Sequence, residues 1–287
     1  MVQDVFDAHG PDGSQMSHSP NARRRILEDV LRNGAAWKIP TTSPIAQISK
    51  KKSVKARLGS KAAKHAERLD QCGEEFDDEA ATLYRALSAR LLYLSLDRPE
   101  VSFAAKELCL PFAHPTRAGV DALKRAARFL VGMPRLVWHL PFQAPTDDLN
   151  VYVDTDVGGC QATRRSTSGG IAMRGKHPLK HWSLTQSTIA LSSGEAELSG
   201  ICRGASIALG LQSIAVDLGI PLKIHMFTNA TAATSICRRR GLGKIPHLYV
   251  SDLWIQDRLK RGEFTLSKIA GSEKPADILT KHVSRDV

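Results

Sequence analysis

VYVDTDVGGCQATRRSTSGG (Val151–Gly170) and LSSGEAEL (Leu191–Leu198) are the two pieces of sequence whose reading decides the fold. VYVDTD alternates apolar and polar residues and ends in acids, the pattern of a half-buried strand that carries a carboxylate to its end. LSSGEAEL reads as a helix start, with Ser192 and Glu195 in the S-x-x-E relation of a capping box. That relation gives Glu195 a local task, satisfying backbone donors at the helix end. Glu197 lies about 200° further round the helix and has no such task. A strand Asp and a helix-start Glu make half of a two-metal site.

Downstream of this stretch, strands give way to alternating helices and strands. Residues 149–155, 168–174 and 179–184 read as three consecutive strands of an antiparallel meander, and a helix runs from Ser193 to Leu218, stopped by Gly219. A strand follows at Lys223–Thr228, then helices over Thr231–Arg239 and His247–Arg261, a strand at Glu263–Ile269 and a last helix at Lys274–His282. The order βββαβααβα predicts an α/β domain, a mixed five-stranded sheet with helices on its faces.

Upstream lies a different region. Pro141–Asn150 (PFQAPTDDLN) is a linker at which the sequence places a domain boundary, with a short strand predicted at Leu136–Leu140 before it. Helices are predicted over 77–96, 101–109 and 117–131. The third carries an apolar face of Val120, Leu123, Ala127 and Leu130 and a basic face of Lys124, Arg125 and Arg128. Core packing accounts for the first face, and the second suits a phosphate backbone or plain solvation. Residues 21–76 form a basic segment of weak pattern, with a short helix expected over 21–37 and a Lys50-Lys51-Lys52 run. Residues 1–20, with three Asp, two Pro and two Gly, are expected to be disordered.

Of 287 residues, 42% are hydrophobic and the formal charge is +11. The excess is uneven: net +10 over 21–68, −3 over 69–150 and +7 over 151–282. A basic protein of this kind most often meets nucleic acid. The five cysteines are widely spaced without a C-x-x-C pair, which speaks against zinc or a disulfide framework and for an intracellular setting, cytoplasmic or nuclear. No apolar run approaches the roughly 18 residues needed to span a bilayer.

Residues 77–283 resemble the C-terminal part of a copia-type LTR retrotransposon polyprotein. The resemblance is carried by LYRALSARLLYLSLDRPEVSFAAKEL, ALKRAARFLVG, VYVDTDVGGCQATRRSTSGG, KHWSLTQSTIALSSGEAEL, FTNATAA and KPADILTKHV. It implies that 77–146 is the helical connection-like tail of a reverse transcriptase and that 149–283 is a ribonuclease H-like domain. Nothing upstream resembles the Tyr-x-Asp-Asp polymerase centre, so no polymerase activity is expected.

The family chemistry is hydrolysis of the RNA strand of an RNA–DNA hybrid by two Mg²⁺ ions about 4 Å apart, with Mn²⁺ as a substitute. Hard cations take oxygen ligands, and by motif these are Asp154, Glu197 and Asp277. The fourth position, an Asp in the family, is Asn229 here, in FTNATAA. Losing one negative charge at a separation of ~2–4 Å costs several kcal/mol at an effective dielectric constant of about 20, so metal affinity or alignment is expected to suffer. Asn229 also fits as an N-cap of the next helix. Val157 stands where the family's DxDWAG pattern has Trp, and Pro246 precedes His247 where a basic residue is usual.

Other residues are weighed on their chemistry alone. Arg164, Arg165 and Ser166 at a strand–strand turn suit phosphate contact or simple turn chemistry, and Lys176 and Lys180 border the next turn in the same way. Asp156 reads as a solvated turn acid, Trp182 as core, and His181 as a packed or surface histidine. Three function classes follow. One is an Mg²⁺-dependent hybrid endoribonuclease impaired by Asn229, and another is a silent nucleic-acid-binding remnant of a truncated retroelement. The third, an integrase, is disfavoured by the helical region and TRRSTSGG.

Overall fold

The computed structural model describes residues 78–160, 163–243 and 250–281. The expected tail at 1–20, the basic segment at 21–76 with its helix at 21–37, and the His247 helix start all lie outside the described residues. Within them the chain forms two compact units, residues 78–90 with Pro111–Arg135, and Leu91–Leu110 with 136–281.

The first unit is built on the N-terminal part of helix α1 (Asp78–Leu94) and on helix α3 (Arg117–Gly132). Thr116 caps α3 by accepting from the Gly119 N–H at 3.3 Å. The predicted apolar stripe of α3 is buried, and Arg125 and Arg128 are exposed. Tyr84 is fully buried, with Phe112 edge-on at 6.4 Å. Gly119 gives it room, because a Cβ there would lie 2.9 Å from the Tyr84 hydroxyl.

The second unit holds helix α2 (Ser102–Cys109) and a five-stranded sheet: β1 (Asp148–Asp156), β2 (Thr167–Arg174), β3 (His177–Thr185), β4 (Lys223–Thr228) and β5 (Phe264–Lys268). The spatial order is β3-β2-β1-β4-β5. β1 pairs antiparallel with β2, and β2 with β3, while β1–β4 and β4–β5 are parallel. Helix α4 (Ser193–Asp217) crosses from the meander to β4, followed by α5 (Thr231–Arg238) and α6 (Trp254–Lys260). This is the expected mixed five-stranded sheet.

Strand alternation sets the core. Leu149, Val151 and Val153 are at most 1% exposed and share their cluster with Leu198, Ile201, Ala205, Met226 and Trp182. Each large apolar side chain buried in this way contributes about 1.5–3 kcal/mol. By length and composition α4 is apolar enough to cross a membrane, which the sequence reading missed; here it lies along the core. Gly170 pairs with Trp182, and a Cβ at Gly170 would fall 2.1 Å from the indole Cζ2. Gly170→Ala is therefore expected to cost about 1–3 kcal/mol through overpacking, read as a lower urea midpoint at unchanged slope.

Three local expectations fail. Residues 136–140 form no strand. They have no neighbour in the sheet order, and a strand without a pairing partner leaves its backbone groups unpaired. The last helix is a 3-10 turn over Pro275–Leu279, consistent with Pro275 at its start and a closing bond from Thr280 N–H to Asp277 O at 3.2 Å. Asn229 does not cap α5: the N-cap is Ala230, whose N–H is satisfied by Thr228 Oγ1 at 3.1 Å.

Candidate functional site

Asp154 stands near the C-terminal end of β1, the central strand, and is 5% exposed. It pairs across β2 with Gly169, and the missing side chain there has a consequence. A Cβ on Gly169 would lie 2.6 Å from Thr280 Cγ2 and 2.9 Å from Leu279 Cβ. The chain after Pro275 can therefore lie directly on the sheet and bring Thr280 Oγ1 to donate to Asp154 Oδ2. Lys274 Nζ donates to Asp154 Oδ1, with its side chain 1% exposed. Burial opposes ionisation of Asp154, yet the hydrogen bonds from Lys274 and Thr280 outweigh it and hold the carboxyl below the usual carboxylate range.

Asp277 faces the same ammonium. Its Oδ1 lies 3.4 Å from Lys274 Nζ and its Oδ2 lies 2.6 Å from Lys281 Nζ. Glu197 approaches from the first turns of α4. That helix is capped as the spacing predicts: Ser192 Oγ accepts from Glu195 N–H at 3.2 Å, and Glu195 Oε2 accepts from Leu191 N–H at 2.7 Å. The cap fixes Glu195 and leaves Glu197 turned elsewhere. Glu197 Oε2 is buried without a hydrogen-bond partner. Burial, followed by the charge of Asp154, pushes the Glu197 carboxyl up to about 7, against the pull of Lys274.

Asn229 follows the last residue of β4 and is exposed. The parallel β1–β4 register ends with Tyr152 opposite Phe227, so Asn229 leaves β4 at the same end of the sheet as Asp154. The four sequence-predicted positions thus share one end of the sheet. β1 persists through Asp156, so this acid lies on the Asp154 face and is not a free turn residue. Burial raises its carboxyl, opposed by the charge of Lys106. Lys106 itself is buried, donates to Thr167 Oγ1 at 2.8 Å and lies 4.8 Å over the Phe103 ring.

The predicted phosphate contacts divide. Arg164 and Arg165 are exposed in a turn closed by Arg164 N–H to Cys160 O at 2.7 Å, with Arg164 at φ 58°. Lys176 and Lys180 are exposed at and after the β2–β3 turn. Ser166 is corrected: it is 1% exposed and its Oγ accepts from Gly158 N–H at 3.0 Å, so it holds the turn together. Trp182 is core, and His181 Nε2 lies 2.8 Å from Ser95 O.

No family model matches the chain. It is 28% identical over 278 residues to the retrovirus-related Pol polyprotein from transposon RE1 of Arabidopsis thaliana, covering 96% of the chain and 17% of that protein. With the RE2 polyprotein of the same plant the identity is 30% over 207 residues, 71% of the chain and 14% of that protein. The chain is related to the copia-type retrotransposon Pol polyproteins. It spans less than a fifth of the length of these copia-type relatives. Among solved structures, a ribonuclease H1 isolated from compost by a metagenomic approach aligns at a TM-score of 0.35 and 12% identity, over 47% of the chain and 94% of that structure.

The resemblance seen in the sequence implies divalent metal at Asp154, Glu197 and Asp277, with Asn229 at the fourth position, and the residues present do not fit it. Among the described residues no group of three or more His, Cys, Asp or Glu is arranged to hold a metal ion. Both Asp154 oxygens are taken by donors, Asp277 faces two ammonium groups, and Asn229 brings no charge. Lys274 and Thr280 are the two residues the sequence reading does not single out. In KPADILTK the acid draws the attention, whereas its Lys and Thr acquire a role only once Gly169 lets the segment reach the sheet.

Proposed function

We propose that this chain is the ribonuclease H-like part of a copia-type polyprotein that binds RNA–DNA hybrid and has lost most or all of its capacity to hydrolyse it. The observation that carries the reading is Asp154, the central acid of the fold, with both oxygens engaged by Lys274 and Thr280. A cation or water approaching Asp154 must compete with these two donors for the lone pairs that each carboxylate oxygen still carries. Asn229 compounds the loss at the neighbouring strand end. Hybrid binding rests on the exposed Arg164, Arg165, Lys176 and Lys180, whose charges suit a phosphate backbone. A hybrid-binding role of this kind suits the cytoplasm or nucleus and work alongside the remainder of a longer polyprotein.

The test is fluorescence anisotropy of a labelled RNA–DNA hybrid with the full chain, beside a cleavage assay in Mg²⁺. If these four cations each neutralise one phosphate, affinity falls roughly a hundredfold between about 50 and 200 mM salt. Replacing Arg164 and Arg165 by Ala lowers the salt slope by about two. Brisk Mg²⁺-dependent cleavage by the native chain overturns the loss of hydrolysis, and salt-insensitive binding overturns the phosphate contacts.

A further inference from the structure

We infer that the Lys274 ammonium is a built-in cation, standing between Asp154 and Asp277 where the fold otherwise calls for a divalent metal ion, and that it closes this chain to metal. The inference deepens the ribonuclease H reading by naming the cation of that same site, and it rests on that reading for the site's identity.

Four observations lead to it. The Lys274 side chain is 1% exposed, so its charge is withdrawn from water and must be neutralised locally. Its partners are the carboxylates on which the family resemblance places metal, Asp154 Oδ1 and Asp277 Oδ1, the latter at 3.4 Å. A compact ammonium with three donors can face two carboxylates at once, as a small metal ion does. Finally, the remaining acid, Glu197, has a buried oxygen without a hydrogen-bond partner, as has Asp277 Oδ1, which Lys274 meets by charge alone. The one ammonium makes its contacts with the two aspartates and none with this third acid.

The backbone explains why Lys274 is available. It precedes Pro275, which biases it to extended conformation, and it adopts φ −95°, ψ 107°. Pro275 then starts the short 3-10 turn that carries Asp277. Lys274 and Asp277 are three residues apart across that turn, so one tight segment delivers both the cation and one of its two acids.

The experiment compares the full native chain with Lys274→Met, which keeps the aliphatic length and removes the charge. Mn²⁺ is the probe, followed by loss of its free EPR signal and by thermal unfolding with Mn²⁺ or with chelator. The native chain is expected to leave the Mn²⁺ signal undiminished and to unfold at the same temperature in either condition. Lys274→Met is expected to unfold earlier in chelator, to recover in Mn²⁺, and to bind it on the order of a hundredfold more tightly than the native chain. Mn²⁺ binding by the native chain as tight as by the variant overturns the inference. So does a Lys274→Met chain that is as stable as the native one and takes up no Mn²⁺. Should Lys274→Met not fold in chelator, refolding it in Mn²⁺ supplies the same comparison. The double variant Asp154→Asn/Lys274→Met, lacking both charges, is expected to fold without metal and bind none, and Mn²⁺ uptake by it overturns the site. Hybrid is absent from every arm, so a failure here leaves the nucleic-acid reading standing, and the reverse also holds.

Discussion

Asp154→Ala is expected to destabilise the chain by about 3–5 kcal/mol, the cost of stripping one partner from a buried ion pair. The direction is the informative part. In a site built to concentrate carboxylates around absent metal, removing one acid relieves repulsion and leaves the fold as stable or more so. Here Asp154 is the acceptor for Lys274 Nζ and Thr280 Oγ1, and Lys274 is sealed from solvent. Its loss leaves a buried ammonium with only Asp277 beside it. The pH dependence follows from the same contacts. The Asp154 carboxyl is held below its ordinary range, so its stabilisation is fully present above the unfolded-state value and is lost as pH falls through the lowered folded one. Urea melts of the two chains should differ at neutral pH and converge in acid. A variant as stable as its parent at pH 7 shows that Asp154 does not hold Lys274.

The strands and the long helix were legible because their signals are local. Alternation in VYVDTD sets the buried face of β1, and the Ser192–Glu195 spacing marks the start of α4 to within a residue. Asp154, Glu197, Asn229 and Asp277 could be singled out as candidates because each lies where such an element begins or ends. What the sequence withheld depends on partners distant along the chain. Lys274 meets Asp154 from 120 residues away, through the space left by Gly169. Likewise Leu91–Leu110 groups with the sheet, with His181 reaching Ser95 across 86 residues and Lys106 reaching Thr167 across 61. Asn229 shows the opposite failure. Its type suits a cap, but the turn after β4 gives that position to Ala230 and the hydrogen bond to Thr228.

Glu197→Gln is expected to stabilise the chain at alkaline pH and to leave it unchanged in acid. The Glu197 carboxyl rises from 4.5 to about 7 because burial and the charge of Asp154 disfavour its ionised form. The folded state therefore holds a proton that the unfolded chain has already released, and stability declines as pH climbs from 4.5 to about 7. Above that range the whole penalty is present, at roughly 1.4 kcal/mol per unit and so up to about 3 kcal/mol. Gln carries no charge to desolvate and escapes it, although its amide inherits the position where Glu197 Oε2 finds no donor. Urea melts of both chains from pH 5 to pH 8.5, with chelator throughout, measure the difference. A Gln variant that is less stable at high pH would mean that ionised Glu197 is welcomed by a positive centre stronger than the one ammonium shared by Asp154 and Asp277. With metal chelated, that outcome would mean a further cationic group beside Glu197 and would count against a single built-in cation.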